Sequence, residues 1–229
     1  MHLLPYIPLF PLTGFLVLAF LGRQMPKKAI AIIGAGTVSV SAILTIILAL
    51  AFLQTPPAGG AYNQLVWSWF SVSNLSVDIG LRADALTLVF IFVITFVAAL
   101  IHIYSAFFMW HDGDYARFFA SMNLFVCSML LLVMADNLVL MYLGWEGVGL
   151  CSYLLIGFWY EVPSNSRAAN KAFLITRIGD TALLIGLFLL FKEFGTLNIS
   201  GILHQAPGYF TVGNSNIVLI TILLLAGGM

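Results

Sequence analysis

Six times along this chain an apolar run appears that is long enough to cross a bilayer core about 30 Å thick as a helix. Backbone amides cannot stay unpaired in lipid, so a chain built from such runs folds as a helical bundle. The runs lie at about residues 3–21, 29–53, 85–109, 118–135, 138–160 and 172–191. A seventh, from Ile217 to Met229, is about 13 residues long and too short to cross, so the sequence reads as the front part of a longer protein. The chain is 62% hydrophobic and only 8% charged. A soluble domain carries roughly 25% charged residues, so lipid must be the solvent here and a cytosolic enzyme is excluded. Nine Lys and Arg balance nine Asp and Glu, which removes the electrostatic case for a nucleic-acid partner.

The first run carries Pro5, Pro8 and Pro11 in its opening turns, where missing amides do least harm. No cationic segment precedes it, so it does not read as a signal peptide, and Met1 is expected to be the mature N-terminus. Counting Lys and Arg at alternate ends puts Arg23, Lys27, Lys28, Arg117, Arg167 and Lys171 on one side, with Arg82 and Lys192 on the other. The positive-inside rule then predicts an external N-terminus in a multi-pass inner-membrane protein. Between the second and third runs, Leu75, Val77, Ile79 and Leu81 alternate with Ser76, Asp78 and Gly80. With Val66, Phe70 and Val72 on one parity, Trp67 and Trp69 on the other and Ser73-Asn74 at the turn, residues 65–81 predict an external β-hairpin at headgroup level. Residues 192–216, broken by Gly195, Gly201, Pro207, Gly208 and Gly213, are expected to lie along the interface.

Charge inside a span is costly and marks function. Asp136-Asn137 suit a helix cap at the start of the fifth run, and Glu146 then lies about 13 Å along it, near mid-membrane. A carboxylate at that depth must be neutral, paired with a cation or turned toward internal water, and each option suits a proton carrier or a helix clamp. Gly144, Gly147, Gly149, Cys151 and Ser152 on the same run let neighbouring backbones approach. These glycines sit mid-helix with no preceding strand, so they are no dinucleotide fingerprint. In the sixth run Arg177 and Asp180, three apart, share a face and can pair, as a clamp or as part of a hydrated relay. Lys171 is near enough to the surface to snorkel. His102 is expected to be a satisfied or interfacial imidazole, and His111, Asp112 and Asp114 a solvated loop. Cys127 and Cys151 read as two buried thiols with no metal-ligand spacing.

The run Met141-Tyr-Leu-Gly-Trp-Glu-Gly-Val-Gly-Leu-Cys-Ser-Tyr-Leu-Leu-Ile-Gly-Phe158 closely resembles the signature of the subunit L family of bacterial NADH–quinone oxidoreductase, respiratory complex I. Lys171-Ala-Phe-Leu-Ile-Thr-Arg-Ile-Gly-Asp180, Gly195-Thr-Leu-Asn198 and Ala135-Asp-Asn-Leu138 look like the same family, and the resemblance covers nearly the whole chain. It implies an all-helical polytopic, antiporter-like, proton-translocating subunit built from two inverted five-helix repeats. Residues 1–115 would then hold three helices and the hairpin, and 116–229 an incomplete first repeat.

The resemblance makes Glu146 the key carboxylate, with Arg177, Asp180 and Lys171 serving the same proton path. It implies a lysine on the next helix, beyond Met229, whose approach would set the proton affinity of Glu146. Such a contact at about 4 Å and an effective dielectric of about 20 is worth about 4 kcal/mol. No cofactor is expected on this chain. NADH, FMN, iron–sulfur clusters and quinone belong on partner subunits, among which a neighbouring antiporter-like subunit is implied beside membrane lipid. Two rivals stay open: a large subunit of a multisubunit sodium–proton antiporter or membrane hydrogenase, and a scaffold whose buried charges only clamp helices.

Overall fold

In the computed structural model, which describes residues 3–57, 59–72, 75–209 and 214–228, each apolar run is a helix. They are α1 (Tyr6–Leu21), α2 (Lys27–Gln54), α3 (Ala85–Phe108), α4 (Tyr115–Met134), α5 (Leu138–Ile156) and α6 (Pro163–Phe194). These six are long and apolar enough to cross a membrane, and the chain is a multi-pass membrane protein. A short α7 (Ile199–Tyr209) and an apolar α8 (Ser215–Gly227) follow. Two strands, β1 (Ala61–Val72) and β2 (Leu75–Asp84), form an antiparallel hairpin between α2 and α3.

Helices α1 to α4 share a core into which Gly14, Gly34, Ser41, Thr45, Thr95 and Asn123 turn. Asn123 on α4 donates to the carbonyls of Gly34 and Phe119 at 3.2 and 2.9 Å and accepts from the Thr37 hydroxyl at 2.8 Å. A β-carbon on Gly14 of α1 would stand 2.6 Å from both the Asn123 and Thr37 oxygens, so only glycine lets the three helices meet there. Around this knot Leu4, Ile7, Val38, Ile91, Leu130 and Met134 pack at one end. Leu18, Tyr115, Phe119 and Phe158 pack at the other. Pro11 lies inside α1, where it cannot donate to Ile7; the Ser41 hydroxyl of α2 donates to that carbonyl instead.

The hairpin is longer than the expected 65–81, with register shifts between Leu65/Trp67 and Ser68/Phe70 that break the even alternation of β1. The expected turn, Ser73-Asn74, lies outside the described residues, as does Gly213. Val77, Leu81 and Ala83 on β2 face the core, whereas Leu65, Trp67 and Trp69 on β1 stay exposed. Beneath β2 the link from α4 to α5 runs extended: Leu81 bridges Ala135, Asn137 bridges Asn198, and Leu138 N donates to Leu197 O at 2.9 Å. Asn137, not Asp136, caps α5, accepting from Leu140 N at 2.9 Å while its amide donates to Asp78 O and Asp136 Oδ1. Asp136 is packed against Gly80, and burial, then the nearby Asp78 charge, push its carboxyl above the ordinary range.

Two expectations need correcting and two gain detail. The sixth helix begins at Pro163, nine residues before 172, because Pro163 suits the first turn and the polar Ser164–Arg167 continue the helix. α5 stops at Ile156, and residues 157–162 turn back. The loop of His111, Asp112 and Asp114 is braced: Lys27 Nζ donates to Trp110 O and Asp112 O, Trp159 to Asp112, and Arg117 pairs with Asp114 at 2.8 Å. Over residues 192–209 the expected break falls at Gly195, which ends α6 after Phe194 at φ 67°, and α7 follows.

Candidate functional site

The close approach of α4 and α5 places Glu146. A β-carbon on Gly144 would stand 2.5 Å from Leu132 N, and one on Gly147 2.5 Å from Ser128 Oγ, so these glycines are the contact. Gly149 is not part of it; the nearest atom there, Arg177 Nη2, would be 3.7 Å away. The turn of α5 that carries Gly144 and Gly147 against α4 points the intervening Trp145 and Glu146 at α6.

On α6, Arg177 and Asp180 lie one turn apart, as their spacing predicted. Arg177 Nη1 forms an ion pair with Glu146 Oε2 and lies 3.4 Å from Asp180 Oδ2. Its guanidinium stacks 4.5 Å from the Phe173 ring, one turn earlier. One cation thus bridges two carboxylates on two helices. The Asp180 side chain is 5% exposed, against 24% and 28% for Glu146 and Arg177. Its second oxygen, Oδ1, accepts from the Trp145 indole N–H at 2.6 Å. Trp145 was not among the expected site residues, because a tryptophan in an apolar run reads as bulk; its position beside Glu146 was the only signal.

A cavity of about 680 Å³ opens beside this cluster between α4, α5, α6 and the end of α8, with Trp145, Ser152, Thr176 and Asp180 in its wall. Small residues also join α6 to α8, since a β-carbon on Gly227 would meet Leu183 Cβ at 2.5 Å. Lys171 stays outside: it is exposed and makes no ion pair among the described residues. His102 is fully buried beside Phe119, its Nδ1 2.7 Å from Ala98 O and its Nε2 without a partner among the described residues. No group of three His, Cys, Asp or Glu residues suited to a metal occurs among the described residues.

Two family models match the sequence. One, described as NADH:quinone oxidoreductase/Mrp antiporter, TM, matches residues 135–229. The other, NADH-Ubiquinone oxidoreductase (complex I), chain 5 N-terminus, matches residues 69–119. The NADH-quinone oxidoreductase subunit L of Pseudomonas aeruginosa is 45% identical over 229 residues, that of Escherichia coli 44%. Each match covers 100% of this chain and 37% of the relative, so the chain spans little more than a third of the length of these relatives. Among solved structures, the Mrp complex from Dietzia sp. aligns with a TM-score of 0.79 at 22% identity, over 98% of this chain and 23% of that one. An archaeal membrane-bound sulfane sulfur reductase aligns at 0.79 and 17% identity, over 99% of this chain and 44% of that one. At such identities these two share the fold alone.

Proposed function

The chain belongs to the NADH-quinone oxidoreductase subunit L family, whose N-terminal portion it matches, and from that premise we propose that it translocates protons through the Glu146–Arg177–Asp180 cluster. The cluster itself is the observation that carries this reading. With both carboxylates ionised it has one net negative charge, and one proton makes it neutral. In a low-dielectric interior the neutral form escapes the desolvation cost, so the cluster stores one proton and lets it go when an opposite charge approaches. Arg177 supplies a fixed positive charge between the two acids.

Further parts of the reading rest on the family and on charge counts. The N-terminus lies outside, and Lys171 guards the cytoplasmic approach to the cluster. Residues 116–229 form the beginning of an antiporter-like repeat whose neighbours are other membrane subunits of the complex. Redox chemistry on NADH, flavin, iron–sulfur clusters and quinone belongs to those partners, and its energy reaches this chain as a displacement of charge.

The test uses inverted membrane vesicles bearing the assembled complex with wild-type chain or Glu146→Gln. NADH oxidation and lumen acidification are followed together. Acidification falls severely in Glu146→Gln while the complex stays assembled, even if oxidation slows with it. Unchanged acidification overturns the proton-path reading and leaves Glu146 as a helix clamp.

A further inference from the structure

The carboxyl group of Asp180 has two oxygens in different surroundings. Oδ1 receives the indole N–H of Trp145 at 2.6 Å, and Oδ2 lies 3.4 Å from Arg177 Nη1, on the side of Glu146. We propose that Trp145 is a positioning residue that occupies Oδ1 and so holds the Asp180 carboxyl with Oδ2 turned toward Arg177 and Glu146. This inference rests on the proton-path reading above and adds a direction to it.

The chemistry of the donor carries the argument. An indole N–H only donates and does not titrate, so it presents hydrogen to Oδ1 whether Asp180 is charged or neutral. The Trp145 indole and the Arg177 guanidinium both only donate, so each oxygen has its own donor, and turning the carboxyl would break the 2.6 Å bond to Trp145. The Asp180 side chain is 5% exposed and borders the cavity beside Trp145 and Thr176. The carboxyl plane is therefore held with Oδ2 toward the cation that joins it to Glu146.

The sequence geometry strengthens the assignment. Trp145 and Glu146 are consecutive on α5 and point about 100° apart, yet both reach the Arg177–Asp180 turn of α6. One helix thus sets the orientation of Asp180 and supplies the second carboxylate. A change in how α5 faces α6 alters both contacts at once.

The experiment measures NADH-driven acidification per assembled complex in inverted vesicles, across pH, for wild type, Trp145→Phe, Trp145→His and Glu146→Gln. Trp145→Phe removes the donor and lowers acidification roughly tenfold, the worth of one hydrogen bond to a charged group, with a displaced pH profile. Trp145→His keeps a ring N–H and recovers much of the rate. If Trp145→Phe only lowers the amount of assembled complex and leaves rate and pH profile unchanged, Trp145 is packing and the inference fails. Should Trp145→Phe not assemble, benzothienylalanine at that position, which keeps the shape but replaces N–H by sulfur, decides between the same two outcomes. A normal rate in Glu146→Gln overturns the proton-path reading itself. An inactive Glu146→Gln beside a normal Trp145→Phe overturns only the role of Trp145.

Discussion

The hydroxyl of Ser41 donates at 2.7 Å to the carbonyl of Ile7, the acceptor that Pro11 leaves without an amide one turn later. The two helices therefore share a bond that α1 would otherwise make within itself. Ser41 is fully buried, so no solvent stands in for it. Ser41→Ala is expected to cost about 1–3 kcal/mol, the penalty of an orphaned buried acceptor. Pro11→Ala in the same chain restores the donor and recovers most of that loss. Unfolding in detergent reads both, and an equal cost of Ser41→Ala in either background would contradict the account.

Gly144→Ala is expected to prevent normal seating of α5 on α4, because the added carbon meets the Leu132 backbone, which cannot rotate away. Gly36→Ala on α2 meets nothing within 4 Å and is the control. Assembly in membranes, followed by native gels, should fall sharply for the first and hold for the second. Normal assembly of Gly144→Ala would show that the α4–α5 contact yields more easily than the geometry implies.

Asp136 lies outside the spans, with its carboxyl raised by burial and by Asp78. A group bound to its proton more tightly in the native state stabilises that state at low pH, and the benefit is lost as pH rises through the raised native value. The junction under the hairpin should therefore melt lower at neutral pH than in acid below the ordinary carboxylate value. Asp136→Asn, still able to accept from Asn137, should flatten that dependence. Asp84 has the opposite sign: the Thr87 amide, foremost, holds its carboxyl below the ordinary range, so its contribution disappears only under more acid conditions. A pH dependence unaltered in Asp136→Asn would assign the effect elsewhere.

Removing Arg177 leaves Asp180 without its cation and Glu146 without its partner. Arg177→Met should cost up to about 3 kcal/mol, more than Glu146→Gln, because it strands the buried Asp180 carboxylate as well as the partly exposed Glu146. Adding Asp180→Asn should restore part of the assembled complex without restoring proton movement. Full assembly of Arg177→Met alone would mean the carboxylates find other partners.

Much of this was legible because lipid is an unforgiving solvent. Apolar length located each of α1 to α6, and parity located β2, whose Val77 and Leu81 face inward as alternation requires. The Arg177–Asp180 pair followed from helical spacing alone. Its partner Glu146 did not, since that contact depends on how α5 is rotated against α6, which Gly144 and Gly147 decide through α4. The polar start of α6 at Pro163–Ser166 reads as loop wherever hydropathy is the guide, yet its backbone continues the helix. Trp145 was hidden by its own apolar bulk, and the bracing of Asp112 by Lys27 depends on two segments far apart in sequence.

The Asn137 side chain holds the first turn of α5 to β2 and to its own neighbour, while the adjoining backbone is fastened to the residues that lead into α7. That end of α5 is moored on both flanks. A sliding stroke along the helix axis would have to tear the hairpin and the head of α7 loose together. Swivelling about the moored end leaves every one of those bonds in place and gives the greatest sweep to the far half of the helix. Glu146, near the middle, would travel a short arc, of the kind that parts two side chains without unseating the helix.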